Sequence, residues 1–128
     1  MKLLLDTHSF LWLLSAPSKM SKRALDVCKD PENLLVLSVA SAWEIEIKQQ
    51  LGKLEMDVAL EDAILEQEST NALRILPVQL RHTLALRELP QHHSDPFDRI
   101  LIAQARTEGL HLVTSDQKIQ QYTVDICW

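Results

Sequence analysis

The chain has 128 residues, enough to close one hydrophobic core and too few for two, so a single domain over 1–128 is expected. Apolar residues make up 46% and charged residues 24%, which excludes a disordered polyelectrolyte, a collagen-like repeat and a disulfide scaffold. A formal charge of -5 argues against a broad basic face that coats DNA, and two isolated glycines, Gly52 and Gly109, cannot build a glycine-rich phosphate loop.

Cys28 and Cys127 are far apart in the chain and form no C-x-x-C pair, which leaves neither a zinc knuckle nor a dithiol redox motif. The apolar start after Met1-Lys2 outlines a secretory signal, but Asp6 and His8 interrupt it. No run approaches the ~18 apolar residues of a membrane span, so a soluble, cytoplasmic chain is expected.

In chain order, Leu3 to Leu5 reads as a buried strand that enters a helix carrying Phe10, Leu11 and Leu14, ended by Pro17-Ser18. Ser18 is expected to cap a second helix through Lys29, followed by a strand at Leu34 to Leu37. Ser38 or Ser41 then opens a long helix to about Leu51, stopped by Gly52 as a left-handed terminal residue, and a partner helix is expected over Asp57 to Glu68. Leu73 to Leu76 reads as a strand and Val78 to Leu89 as a helix with Leu80 and Leu84 facing inward. A helix from Pro96 to Glu108, a strand from Leu110 to Thr114, a short helix begun by Asp116 and an edge strand at Val124 to Ile126 complete the pattern. Short apolar runs alternating with helices predict an α/β fold, in which helices cover both faces of a mostly parallel sheet.

Ligand sites in such sheets form beyond the carboxyl ends of the strands, which directs attention to Asp6, to Ser38 through Glu44, and to Asp116. Asp6 follows the first strand directly and suits either a helix N-cap or a strand-mouth carboxylate. Asp95 precedes Pro96 and reads as the N-cap of its helix, leaving Asp98 on the inward stripe with Leu101, Ile102 and Ala105. Ala40, Ile47 and Leu51 share the wheel direction of Glu44, which ranks it above Glu46 without excluding a solvated role. Asp116 follows Leu112-Val113-Thr114-Ser115 and again suits a cap or a site. Converging acids would repel one another unless a divalent cation intervened, and oxygen-rich donors favour Mg²⁺ or Mn²⁺ over zinc.

His8, His92 and His93 lack the spacing of a helical zinc pair, and surface or capping roles are expected for His92 and His93. Trp12 and Trp43 are expected to point inward, and with Trp128 to serve a core or an interface. No serine occupies a G-x-S-x-G elbow, and position 8 is His8, which removes the D-x-D pattern of aspartyl phosphatases. A non-catalytic α/β signalling or binding module with Asp6 as phosphate acceptor or cation ligand is the alternative, disfavoured because the first strand ends in a single acid.

The blocks Leu3-Leu4-Leu5-Asp6-Thr7-His8, Ser41-Ala42-Trp43-Glu44, Asp95-Pro96-Phe97-Asp98-Arg99 with Leu101-Ile102-Ala103-Gln104-Ala105, and Leu112-Val113-Thr114-Ser115-Asp116 resemble the PIN-domain family. Within it they are similar to the VapC-type toxins of type II toxin-antitoxin pairs. The resemblance implies a three-layer α/β/α fold and a metal-dependent endoribonuclease with Asp6, Glu44, Asp98 and Asp116 as catalytic metal-site acids. It further implies Thr7, Thr114 and Asp95 as their supports, Mg²⁺ or Mn²⁺ as cofactor, and a homodimer neutralised by an antitoxin whose tail enters the acidic cleft. RNA, single-stranded or looped, would be met by scattered cations such as Lys19, Lys22, Arg23, Lys48, Lys53 or Arg99.

Overall fold

The computed structural model describes residues 1–128. Its centre is strand β1 (Lys2–Leu5), whose Leu3, Leu4 and Leu5 are fully buried. β1 is flanked by β2 (Leu34–Ser38) and β4 (His111–Val113), with β3 (Arg74–Leu76) and β5 (Ile126–Cys127) at the edges. All four pairings in the order β3-β2-β1-β4-β5 are parallel, with Leu4 opposite Val36 on one side and Leu112 on the other.

Alternation along β1 divides the core into two. Leu3 and Leu5 join Leu35 and Leu37 beneath α1 (Thr7–Ser15), α2 (Lys22–Lys29), α3 (Val39–Gln50) and α4 (Leu60–Asn71), through Phe10, Ala24, Ile45 and Leu60. Leu4, Val36 and Leu112 face the opposite way. They pack on α6 (Pro96–Glu108) through Leu101, Ile102 and Ala105, beside α5 (Leu80–Ala85). The expected three-layer α/β/α arrangement is therefore present. No helix is long and apolar enough to cross a membrane.

Several boundaries differ from the sequence reading. Ser18 lies in a 3-10 turn, Pro17–Lys19, and it is Ser21 whose hydroxyl accepts the Ala24 N–H and caps α2. The expected helix over 78–89 is shorter, because the chain tightens into a 3-10 turn at Leu86–Glu88 after α5. Leu80 and Leu84 consequently face outward, at 72% and 46% exposure, while Leu89 is buried. Asp116 precedes only a 3-10 turn, Ile119–Gln121. Trp43 is 63% exposed rather than inward, edge-on to Phe97 at 5.2 Å, whereas Trp12 packs partly buried against Trp128 at 5.9 Å. Cys28 and Cys127 are free thiols in the same core cluster, and burial with the nearby Cys127 pushes the Cys28 thiol up to about 12.

Gly109 ends α6 in the left-handed region at φ 67°, and Gly52 adopts φ 70° after α3, as expected for helix-stopping glycines. α4 is stopped the same way by Ala72, at φ 53°, where a Cβ crowds the following carbonyl. Because Ala72 is exposed and gives up no core contact, Ala72→Gly is expected to raise stability by about 0.5–1 kcal/mol, net of the added unfolded-chain entropy. Urea unfolding measures this directly; a loss of stability would contradict the strain assigned to that residue.

Candidate functional site

β2 and β4 leave β1 in opposite directions, so the carboxyl end of β1 is a topological switch point where flanking loops part and open a crevice. Asp6 stands at that point. Its backbone N–H continues the sheet to the Val113 carbonyl at 3.1 Å, and its Oδ1 accepts the Ser9 N–H at 2.7 Å as the N-cap of α1. The two readings left open for Asp6 are thus compatible: one oxygen caps, and the carboxylate lies in the crevice. Burial pushes the Asp6 carboxyl above the usual carboxylate range, opposed by hydrogen bonds from Thr114 and Ser9 and by the charge of His8.

Ser38 caps α3 through the Ala40 N–H, which resolves the choice between Ser38 and Ser41. One turn on, α3 directs Glu44 into the crevice, where it is only 6% exposed. The Thr7 hydroxyl donates to Glu44 Oε1 at 2.6 Å, and Lys48, one helical turn further, pairs with Oε2 at 3.1 Å. Ser41 Oγ lies 3.1 Å from the same Thr7 hydroxyl. Glu46, which the helical wheel ranked lower, is exposed.

Asp95 Oδ1 accepts the N–H groups of Phe97 and Asp98, at 2.8 and 3.2 Å, and caps α6 in the role expected of it. Asp98 is thereby free of capping and projects into the crevice. Burial pushes its carboxyl up to about 7, aided by the charges of Asp95, Asp6 and Glu44 and opposed by His93. Asp116, after β4, lies across from it: single donor atoms of His93, Asp98 and Asp116 fall within 4.8 Å of one another. Thr114 is fully buried, hydrogen-bonds Asp6, and accepts the Asp116 N–H at 3.1 Å.

The structure therefore brings Asp6, Glu44, Asp98 and Asp116 together, with Thr7, Thr114 and Asp95 in supporting contacts. Sequence reasoning missed His93, which is not a surface or capping residue: its Nε2 lies 2.9 Å from Asp98 Oδ2 and 3.1 Å from Asp116 Oδ2. Its place two residues before the Asp95 cap was the one available signal. Three of the cations proposed to meet RNA are already engaged. Lys48 is paired with Glu44 and Lys22 with Asp26, while Arg99 donates to the Pro90 carbonyl and the Tyr122 hydroxyl.

A family model for the PIN domain matches residues 3–124. The chain belongs to the PIN-domain family. This PIN domain is similar in fold to a chain of the VapBC2 complex of Rickettsia felis, a structure bound to a DNA fragment from their promoter, with a TM-score of 0.69 at 17% identity, covering 98% of this chain and 97% of that one. It is also similar to a chain of DNA-bound VapBC from Salmonella typhimurium, with a TM-score of 0.68 at 15% identity, covering 98% and 96%. For VapBC-1 from nontypeable Haemophilus influenzae the TM-score is 0.63 at 19% identity, covering 98% and 96%. Comparison with curated protein sequences finds no match. PIN domains are nucleases that generally use divalent metals, and the donor set of this one, four buried or half-buried carboxylates whose charges oppose one another, fits a hard divalent cation.

The crowding of these acids has a measurable consequence in metal-free protein. Asp98 holds its proton up to about 7 in the fold but only to its ordinary 3.8 when unfolded, so the folded state binds protons more tightly between those values. Stability contributed by the protonated form is fully present at the acid end of this window and is lost as pH rises through it. In chelator, the thermal midpoint is expected to fall between pH 4 and 7, and Asp98→Asn to reduce that slope, leaving the contribution of Asp6, whose shift has the same sign. An unchanged slope in the variant would separate the pH response from Asp98.

Proposed function

We propose that this PIN domain is a VapC-type toxin, a metal-dependent endoribonuclease that hydrolyses RNA phosphodiester bonds and is held in check by a cognate antitoxin. The observation that carries the reading is the meeting of Asp6, Glu44, Asp98 and Asp116 in one crevice at the carboxyl end of β1. These acids would hold Mg²⁺ or Mn²⁺. When bound, such an ion lowers the pKa of water and offsets charge developing on the phosphoryl group.

The remaining parts of the mechanism fall to the chain itself. Thr7 and Lys48 fix both oxygens of Glu44, so this carboxylate cannot swing away when substrate enters. Thr114 and the Ser9 N–H hold the Asp6 carboxylate. Asp98, with its carboxyl near neutrality, is the group best suited to exchange a proton for a cation as the site loads. A crevice bordered by α1, α3 and α6 admits a single strand more readily than a duplex. Exposed Lys19, Arg23 and Lys53 remain available for backbone phosphates. An antitoxin would silence the enzyme by placing cationic side chains among the same acids.

Purified protein is expected to cut single-stranded RNA in Mg²⁺ or Mn²⁺, and not single-stranded DNA of the same sequence. Cutting should stop in chelator, and Asp98→Asn should lower the rate by about a hundredfold or more while the far-ultraviolet circular dichroism spectrum is unchanged. Undiminished cleavage in chelator would reject the metal mechanism.

A homodimer is part of the same proposal. Val39, Trp43, Val78, Pro96, Phe97 and Ile100 line an apolar groove next to the acids, free of any charged side chain. Two copies that each carry -5 repel over most of their surface, and an uncharged apolar face is where they can meet at least cost. Trp43→Glu is expected to convert a dimer to a monomer in sedimentation velocity; a dimer that survives the change is built on another face.

A further inference from the structure

We infer that His93 is the positioning residue of the acidic site: its Nε2 hydrogen-bonds Asp116 and lies against Asp98. This rests on the reading of the crevice as a metal site. The imidazole is only 9% exposed, and its Nε2 lies 2.9 Å from Asp98 Oδ2 and 3.1 Å from Asp116 Oδ2. These acids come from different places in the fold, the first turn of α6 and the loop after β4, and no direct hydrogen bond joins them.

The other ring nitrogen decides what His93 does there. Nδ1 faces the Asp95 backbone N–H at 3.3 Å, and an N–H can only donate, so Nδ1 is the acceptor and the ring proton resides on Nε2. A role as direct metal ligand would require the reverse tautomer, with Nε2 stripped of its proton and Nδ1–H pressed against a second donor. The same cluster of His93, Asp98 and Asp116 that looks like a ligand triad by proximity is therefore a ring that donates to Asp116 and sits against Asp98.

The backbone around His93 is itself braced. The Tyr122 hydroxyl accepts the N–H groups of His92 and His93, at 3.1 and 2.9 Å, and Arg99 donates to that hydroxyl at 3.0 Å. Arg99 also donates to the Pro90 carbonyl at 2.9 Å, which ties the loop before α6 to α6 itself. The ring is thus set in orientation by its own loop before any cation arrives. Its Nε2 lies against Asp98 Oδ2 at 2.9 Å while its hydrogen bond goes to Asp116 Oδ2. Both oxygens of Asp116 are already engaged, Oδ2 by His93 and Oδ1 by the Lys118 N–H at 2.8 Å. His93 and the Lys118 N–H thus fix Asp116 in place beside Asp98.

Two measurements test this independently. In metal-free protein, ¹⁵N spectra of the histidine rings should show His93 with its proton on Nε2; a proton on Nδ1 overturns the assignment whether or not the site binds metal. By titration calorimetry with Mn²⁺ alone, His93→Ala should weaken binding about ten- to a hundredfold. His93→Gln, which offers an amide donor in place of Nε2–H, should recover most of that loss, and His92→Ala should match wild type. Equal affinity in wild type and His93→Ala, or ¹⁴N coupling from His93 in the electron spin-echo spectrum of bound Mn²⁺, would overturn the positioning role. Absence of Mn²⁺ binding by wild type would instead overturn the metal reading itself.

Discussion

Mutual repulsion among the carboxylates at the end of β1 is the constraint around which the rest of this fold is arranged. Four acids from separate stretches are gathered, Asp6 and Glu44 buried and Asp98 and Asp116 half-buried, and like charges in that setting oppose folding unless each is answered. The answers are specific. Asp6 receives the Ser9 N–H and Thr114, Glu44 receives Thr7 and Lys48, and Asp98 and Asp116 share one imidazole. Asp98 has the least, a contact with His93 at 2.9 Å, and burial together with the charges of Asp95, Asp6 and Glu44 pushes its carboxyl up to about 7. The weakest link in the set of donors is thus the place where an added positive charge gains most.

The parallel sheet makes this gathering possible. Asp6 and Asp116 arrive at the same edge because β1 and β4 run side by side in the same direction, with Leu5 opposite Val113. Glu44 arrives because α3 follows β2 immediately and is capped by the strand's own last residue, Ser38. Capping also separates labour on α6: Asp95 takes the terminal N–H groups, so Asp98 need not. At Asp6 there is no such second acid, and one carboxylate serves both the helix terminus and the crevice. A substitution there would disturb α1 as well as the site, whereas one at Asp98 leaves the helix start intact.

Much of this was legible in the sequence, for reasons that differ by element. The three buried leucines of β1 and the alternation of short apolar runs with helices predicted the layered fold, because a strand covered on both faces has no polar side to show. Asp98 was legible because a charged group on an apolar stripe is costly without a purpose. Trp43 was misread for the complementary reason: α3 is apolar around most of its circumference, so the wheel could not tell the face against the sheet from the face beside Phe97. α5 was read too long because Leu86 and Leu89 continue a helical period that the backbone abandons for a 3-10 turn. His93 was out of reach, since its contacts with Asp98 and Asp116 depend on how a loop is folded back by Tyr122 and Arg99.

The net charge of -5 at first opposes the proposed handling of RNA, and the distribution of charge removes the conflict. The acids of the crevice are those a divalent ion would offset, so each ion bound there subtracts two from the local negative charge exactly where a phosphate must approach. Lys48 stands beside the site but is paired with Glu44, and Arg99 is turned to the loop before α6, so neither can substitute for that ion. Lys19, Arg23 and Lys53 are exposed and outside any ion pair, which suits contacts along a strand away from the reacting bond. Under the proposed function, such a division would make RNA binding weak and its positioning dependent on the metal. It would also give a basic antitoxin tail an advantage over RNA, because cationic side chains entering the crevice would meet Asp6, Glu44 and Asp98 directly, whereas RNA would bring its own negative charge past them.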